Sequence, residues 1–174
     1  VPFERLDVLE ASAHQCCASW LRVSAGNLFD SDWRDVWNSA AAQAVRASIL
    51  DGSYRHCNKI ACPTIQTDAL IPAEQLRAQS AEWARRIDTG ETALPEGPRT
   101  VNLAYDRTCN LSCPSCRSEP IAVGEAERVR IDAMQQRNVY PLLREAELCL
   151  VTGSGDPFAS KTFRRLLAWV SDDT

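Results

Sequence analysis

Apolar residues recur at helical spacing from position 32 to 50: Trp33, Val36, Trp37, Ala40, Ala44 and Ala47, running on to Ile49 and Leu50. That period predicts one helix with both tryptophans in the core. Asp30 or Ser31 is placed to cap its start near Asp32, and Gly52 to end it in a left-handed conformation. A second helical pattern covers Ala73 to Ile87, opened by Ile71-Pro72 and stopped by Thr89-Gly90. Pro95-Glu96-Gly97-Pro98 then reads as a boundary.

From Arg99 the pattern changes to strand, helix, strand, helix. Val101 to Tyr105 predicts a strand. Ala126 to Ala146 predicts a helix with Val129, Met134 and Leu142-Leu143 facing inward and Pro141 kinking or splitting it. The continuous apolar run Leu148-Cys149-Leu150-Val151-Thr152 is expected as a parallel strand buried on both faces. Phe158 to Val170 is amphipathic, with Phe163, Leu166, Leu167 and Val170 on one side. Residues 1–30 offer less: a short strand or loop entering the turn Gly26-Asn27. The fold class is therefore α/β, with an N-terminal module over 1–70, a helical linker over 71–98, and two strand–helix units over 99–174. Such units pair in parallel with right-handed crossovers.

A net charge of −4 argues against a general nucleic-acid binder, which needs clustered Lys and Arg. No apolar stretch approaches the ~20 residues that span a bilayer. The first residues carry Glu4, Asp7 and Glu10 and do not resemble a signal peptide.

Cysteine placement changes the picture most. Cys109, Cys113 and Cys116 stand at C-x3-C-x2-C spacing directly after the first C-terminal strand. Three thiolates in one loop can grip a four-iron, four-sulfur cluster and leave one iron without a protein ligand. A zinc knuckle, or a structural cluster completed by a distant cysteine, fits the same spacing. Cys16, Cys17, Cys57 and Cys62 lie in two loops bracketing the 32–50 helix, and four thiolates describe a closed iron–sulfur or zinc site. Adjacent Cys16 and Cys17 rarely both reach one metal, so a fourth ligand from elsewhere stays open; His14 and His56 are read as bystanders. Cys149, mid-strand, is read as a small buried apolar residue. Tight clusters favour metal ligation in a reducing cytoplasm over secreted disulfides. After the second strand, Thr152-Gly153-Ser154-Gly155-Asp156-Pro157 sits where parallel sheets bind ligands.

The strand followed by Cys109, Cys113 and Cys116 resembles the cluster loop of radical S-adenosylmethionine (radical SAM) enzymes, with Ser115 where that family usually carries an aromatic residue. Cys-Cys-x-x-Trp from Cys16, Gly26-Asn27, Trp37-Asn38-Ser39, Arg46 to Gly52, and Cys57 with Cys62-Pro63 resemble a SPASM-type auxiliary-cluster module. That module usually follows the radical SAM domain, and here it comes first. The resemblance implies a SPASM-like module leading into the first two βα units of a partial TIM-like barrel. It implies a catalytic 4Fe-4S cluster on Cys109, Cys113 and Cys116, and an auxiliary 4Fe-4S cluster on Cys16, Cys17, Cys57 and Cys62. S-adenosyl-L-methionine would sit on the open iron, with its amino group received by Gly153, Ser154, Gly155 and Asp156. A flavodoxin- or ferredoxin-type reductant and a peptide, protein or small-metabolite substrate are the implied partners. A whole barrel has about six such units of ~30 residues each, so this chain is expected to be a fragment, or else to be completed by a partner or to bind a cluster without full catalysis. The competing reading is a non-catalytic zinc or iron–sulfur scaffold or electron carrier; a disulfide-rich extracellular module ranks last.

Overall fold

A computed structural model describes residues 1–151 and 155–173 of the chain. Its sheet begins with a strand that the charged N-terminal sequence conceals. Arg5–Leu9 (β1) pairs antiparallel with Ser12–His14 (β2) and parallel with Thr100–Ala104 (β3), which pairs parallel with Leu148–Val151 (β4). The result is a mixed α/β fold on an open four-stranded sheet, ordered β2-β1-β3-β4. Register sets Leu6 beside Val101 and Val8 beside Leu103, so buried aliphatic side chains line one face. Between them Asp7, also buried, takes a 2.7 Å ion pair from Arg5.

The helix expected from Asp32 to Leu50 breaks in two. Trp33–Trp37 (α1) is capped by Asp32, and Ala40–Leu50 (α2) restarts where the Ser39 hydroxyl accepts from Ala42 N–H at 3.2 Å. Gly52 follows with φ 70°, as its left-handed role required. A single turn at Pro63–Gln66 (α3) leads to the linker, where Ser80 divides another expected helix. Ala73–Gln79 (α4) stops at its extended backbone, and its hydroxyl caps Ala81–Thr89 (α5).

After β3, Glu125–Met134 (α6) runs into a wide π turn at Gln135–Val139 and then Tyr140–Leu143 (α7). Pro141 has no N–H for the carbonyl four residues back, and the widened turn absorbs that lost bond. The last helix, Lys161–Asp173 (α8), starts three residues later than expected, because the Ser160 hydroxyl caps Phe163 N–H at 3.0 Å.

Several inward assignments need correction. Val129 is 57% exposed, while Ile131 and Val139 are buried instead. Leu167 and Val170 are exposed too, leaving Phe163 and Leu166 as the inner face of α8. β4 is covered on one face only, so alternate residues Leu148 and Leu150 face outward, and Cys149 and Val151 pack against the core.

One buried cluster draws on every part of the chain: Phe3, Leu6 and Trp37 from the N-terminal part, Leu94 from the linker, and Leu103, Leu142 and Leu166 beyond it. Two buried polar side chains tie these parts together. Asn138 in the π turn accepts from Trp33 N–H at 3.0 Å and donates to Ser31 O at 2.9 Å. Arg46 lies over the Trp37 ring at 4.2 Å and donates to Pro2, Trp37 and Thr92 carbonyls. Burial, with Arg86 nearby, pushes its guanidinium down to about 9. Among the described residues no helix is long and apolar enough to cross a membrane.

Candidate functional site

The cysteine loop leaves the carboxyl end of β3 and closes on itself. Cys109 N–H donates to Ile121 O at 2.8 Å and Ile121 N–H donates back at 2.9 Å, pinning both ends. Within the loop Cys116 N–H reaches Cys113 O at 2.9 Å, forming a tight turn. Cys109 is buried at the base; Cys113 and Cys116 stand exposed on the turn, with the Arg117 guanidinium 3.4 Å from the Cys116 sulfur. The thiols suit a sulfur-ligated metal group in kind and number. Their arrangement is open: among the described residues, no three His, Cys, Asp or Glu side chains converge closely enough to hold a metal ion. The exposed pair would have to turn inward toward Cys109 to form a binding set.

Beyond β4, Gly155 and Asp156 press on the root of the cysteine loop. Gly153 and Ser154 lie outside the described residues. Gly155 packs so tightly on the 106–108 backbone that a Cβ would overlap the Asp106 carbonyl oxygen. Asp156 N–H donates to Thr108 O at 2.8 Å, while its own carboxylate accepts from Phe158 N–H at 2.9 Å and caps a local turn. The two loops are thus neighbours, as adjacent parallel strands require.

What fastens them is Asp106, a residue the sequence reading passed over. Its buried carboxylate accepts hydroxyl hydrogen bonds from Ser160 and Thr162, both at 2.6 Å, and one from Thr108 N–H at 2.8 Å. Burial pushes this carboxyl up, but the three hydrogen bonds outweigh it and hold the group below its ordinary value. The signal available was an acidic residue directly after a strand, matched by Ser160-x-Thr162 at a helix start. Nothing in the spacing says that they meet.

The N-terminal cysteines occupy a second place. Leu21 bridges to Cys57, Asn58 N–H donates to Trp20 O at 2.7 Å, and Cys62 N–H donates to Asn58 O at 2.9 Å, which stitches both cysteine loops together. Burial raises the Cys16 thiol, and the nearby charges of Cys62 and Asp7 act in the same direction. Cys57 is raised by burial first and then by Cys16 and Cys62. Among the described residues these thiols, like those of the C-terminal loop, do not converge closely enough to hold a metal ion. His56 Nε2 is buried without a hydrogen-bond partner, whereas His14 Nδ1 lies 3.2 Å from Val23 O. Cys149 sits apart, pushed by burial to about 11, which makes it a poor nucleophile. All eight cysteines are free thiols.

A cleft of about 370 Å³ opens beyond the carboxyl ends of β1 and β3, against the Ile121 end of the cysteine loop. No family model, curated protein or solved structure matches this chain.

Proposed function

We propose that the chain is the cluster-bearing part of a radical SAM enzyme, with Cys109, Cys113 and Cys116 as ligands of a 4Fe-4S cluster. The observation that carries this reading is the seating of Gly155 and Asp156 on the backbone of Asp106–Thr108, directly before those cysteines. What supports the reading is that the three-cysteine loop and the Gly155–Asp156 segment follow adjacent parallel strands at their carboxyl ends, where sheets of this kind bind ligands. With S-adenosyl-L-methionine bound, such a cluster would supply the reductive cleavage that yields a 5′-deoxyadenosyl radical, which abstracts hydrogen from a substrate. The chain's own contributions are positional. Asp106 holds the root of the cysteine loop, Gly155 admits close backbone approach, and Asp156 sets the turn that follows. On this reading the sheet is the start of a TIM-like barrel, and Cys16, Cys17, Cys57 and Cys62 hold an auxiliary cluster.

A second reading, a non-catalytic metal scaffold or electron carrier, is favoured by the N-terminal thiols. The loops that carry Cys16, Cys57 and Cys62 are joined by backbone pairing, and the unpartnered His56 Nε2 adjoins Cys57 in sequence. Three thiols and an imidazole would make a closed zinc site once these side chains turned toward one another.

Anaerobic reconstitution, with iron and sulfide counting and an assay of S-adenosylmethionine cleavage, separates the two. Iron with cofactor cleavage supports the enzyme. Zinc alone, or iron without cleavage by this chain and by any longer parent, supports the scaffold.

A further inference from the structure

The cleft beyond β1 and β3 has features that the cysteine chemistry does not use. Its walls are apolar, formed by Phe29, Tyr105, Ile121, Val123 and Ile131. Tyr105 is held rigidly: its hydroxyl accepts from Gln135 Nε2 at 2.6 Å, and its ring lies 4.8 Å from that of Phe163. The rim carries four charged side chains in two pairs, Arg107 with Glu10 at 3.3 Å and Arg130 with Glu127 at 2.7 Å. These charges cancel, so a nucleotide or other polyanion finds no net attraction. Glu10 holds φ 50° as the first residue of the two-residue turn between β1 and β2, which sets its carboxylate at the rim. At the mouth, α6 begins at Gly124 with no side chain capping its first N–H groups.

We propose that this cleft binds a small zwitterion with an apolar body, of the class of free hydrophobic amino acids. The body fills the space between Phe29, Tyr105 and Ile121. The two ligand charges insert into the Arg107–Glu10 pair, carboxylate to the guanidinium and ammonium to the Glu10 carboxylate. Both side chains are more than half exposed, and an ion pair of that kind is worth under ~1 kcal/mol, so exchanging one partner for another costs little. The size fits: ligand cavities usually start at about 300 Å³. A bound molecule would lie beside the Cys109–Ile121 pairing, where a reaction centred on the cysteine loop would meet its substrate. Binding itself does not depend on that reaction or on metal, so failure of either account leaves the other standing.

The test is calorimetric titration of the full chain with L-phenylalanine, L-phenylalaninamide and N-acetyl-L-phenylalanine. The expected result is saturable binding of the amino acid, with each blocked analogue about threefold weaker, as loss of one exposed ion pair implies. Ala122→Trp, which fills the cleft from an exposed position, should abolish binding. Arg107→Ala, at an exposed side chain, should weaken it about threefold with an unchanged thermal midpoint. Absence of saturation in the wild-type chain, equal affinity for all three compounds, or full affinity in Arg107→Ala overturns the proposal.

Discussion

Gly155 lies against the carbonyl oxygen of Asp106 so closely that no side chain fits between them; a Cβ would also stand 2.9 Å from the carbonyl oxygen of Thr108. Both obstacles are backbone, so neither can swing aside. This contact joins the loop after β4 to the root of the cysteine loop.

Gly155→Ala should therefore destabilise the chain by about 1–3 kcal/mol, the usual cost of forcing a methyl into packed surroundings. Chemical denaturation checks it. An unchanged midpoint would mean that the two loops separate freely.

Asp106 supplies a pH-dependent version of the same junction. Its folded-state pKa lies below the ordinary value, so its stabilisation is complete above the ordinary carboxylate range, near about pH 4. It is lost as pH falls through the lowered folded value. Asp106→Asn should cost on the order of 3 kcal/mol at pH 7, and should remove this group's share of the acid-side slope. A variant as stable as wild type at pH 7, with the same slope below pH 4, contradicts the assignment.

The strand–helix alternation after Arg99 is legible in the sequence because its apolar runs are bounded by Pro98 at one end and by a glycine-rich loop at the other. β1 is not legible. Its buried Leu6 and Val8 alternate with Arg5 and Asp7, and its partner strand lies far along the chain. The breaks at Ser39 and Ser80 were written as hydroxyl residues inside helical periods, where capping outweighed continuation. For the site, the cysteine spacing announces itself, whereas Asp106 depends on hydroxyls 54 and 56 residues away, which no local pattern encodes. The outward-facing Leu148 and Leu150 were misread because an apolar run does not say whether both faces of its strand are covered.

The two cysteine sets stand on different loops, so their metals should be separable. Cys113→Ala should reduce iron in anaerobically reconstituted protein by about half, leaving the N-terminal share bound. Loss of all iron together would show that the sets are one site.

Electron paramagnetic resonance of the reduced, reconstituted chain, with and without S-adenosylmethionine, tests the central claim most directly. The account predicts two overlapping iron–sulfur signals in the wild-type chain, one of which the added cofactor visibly shifts, and Cys113→Ala removes that cofactor-sensitive signal and leaves the other. A chain that takes up only zinc, or signals all indifferent to the cofactor, contradicts it.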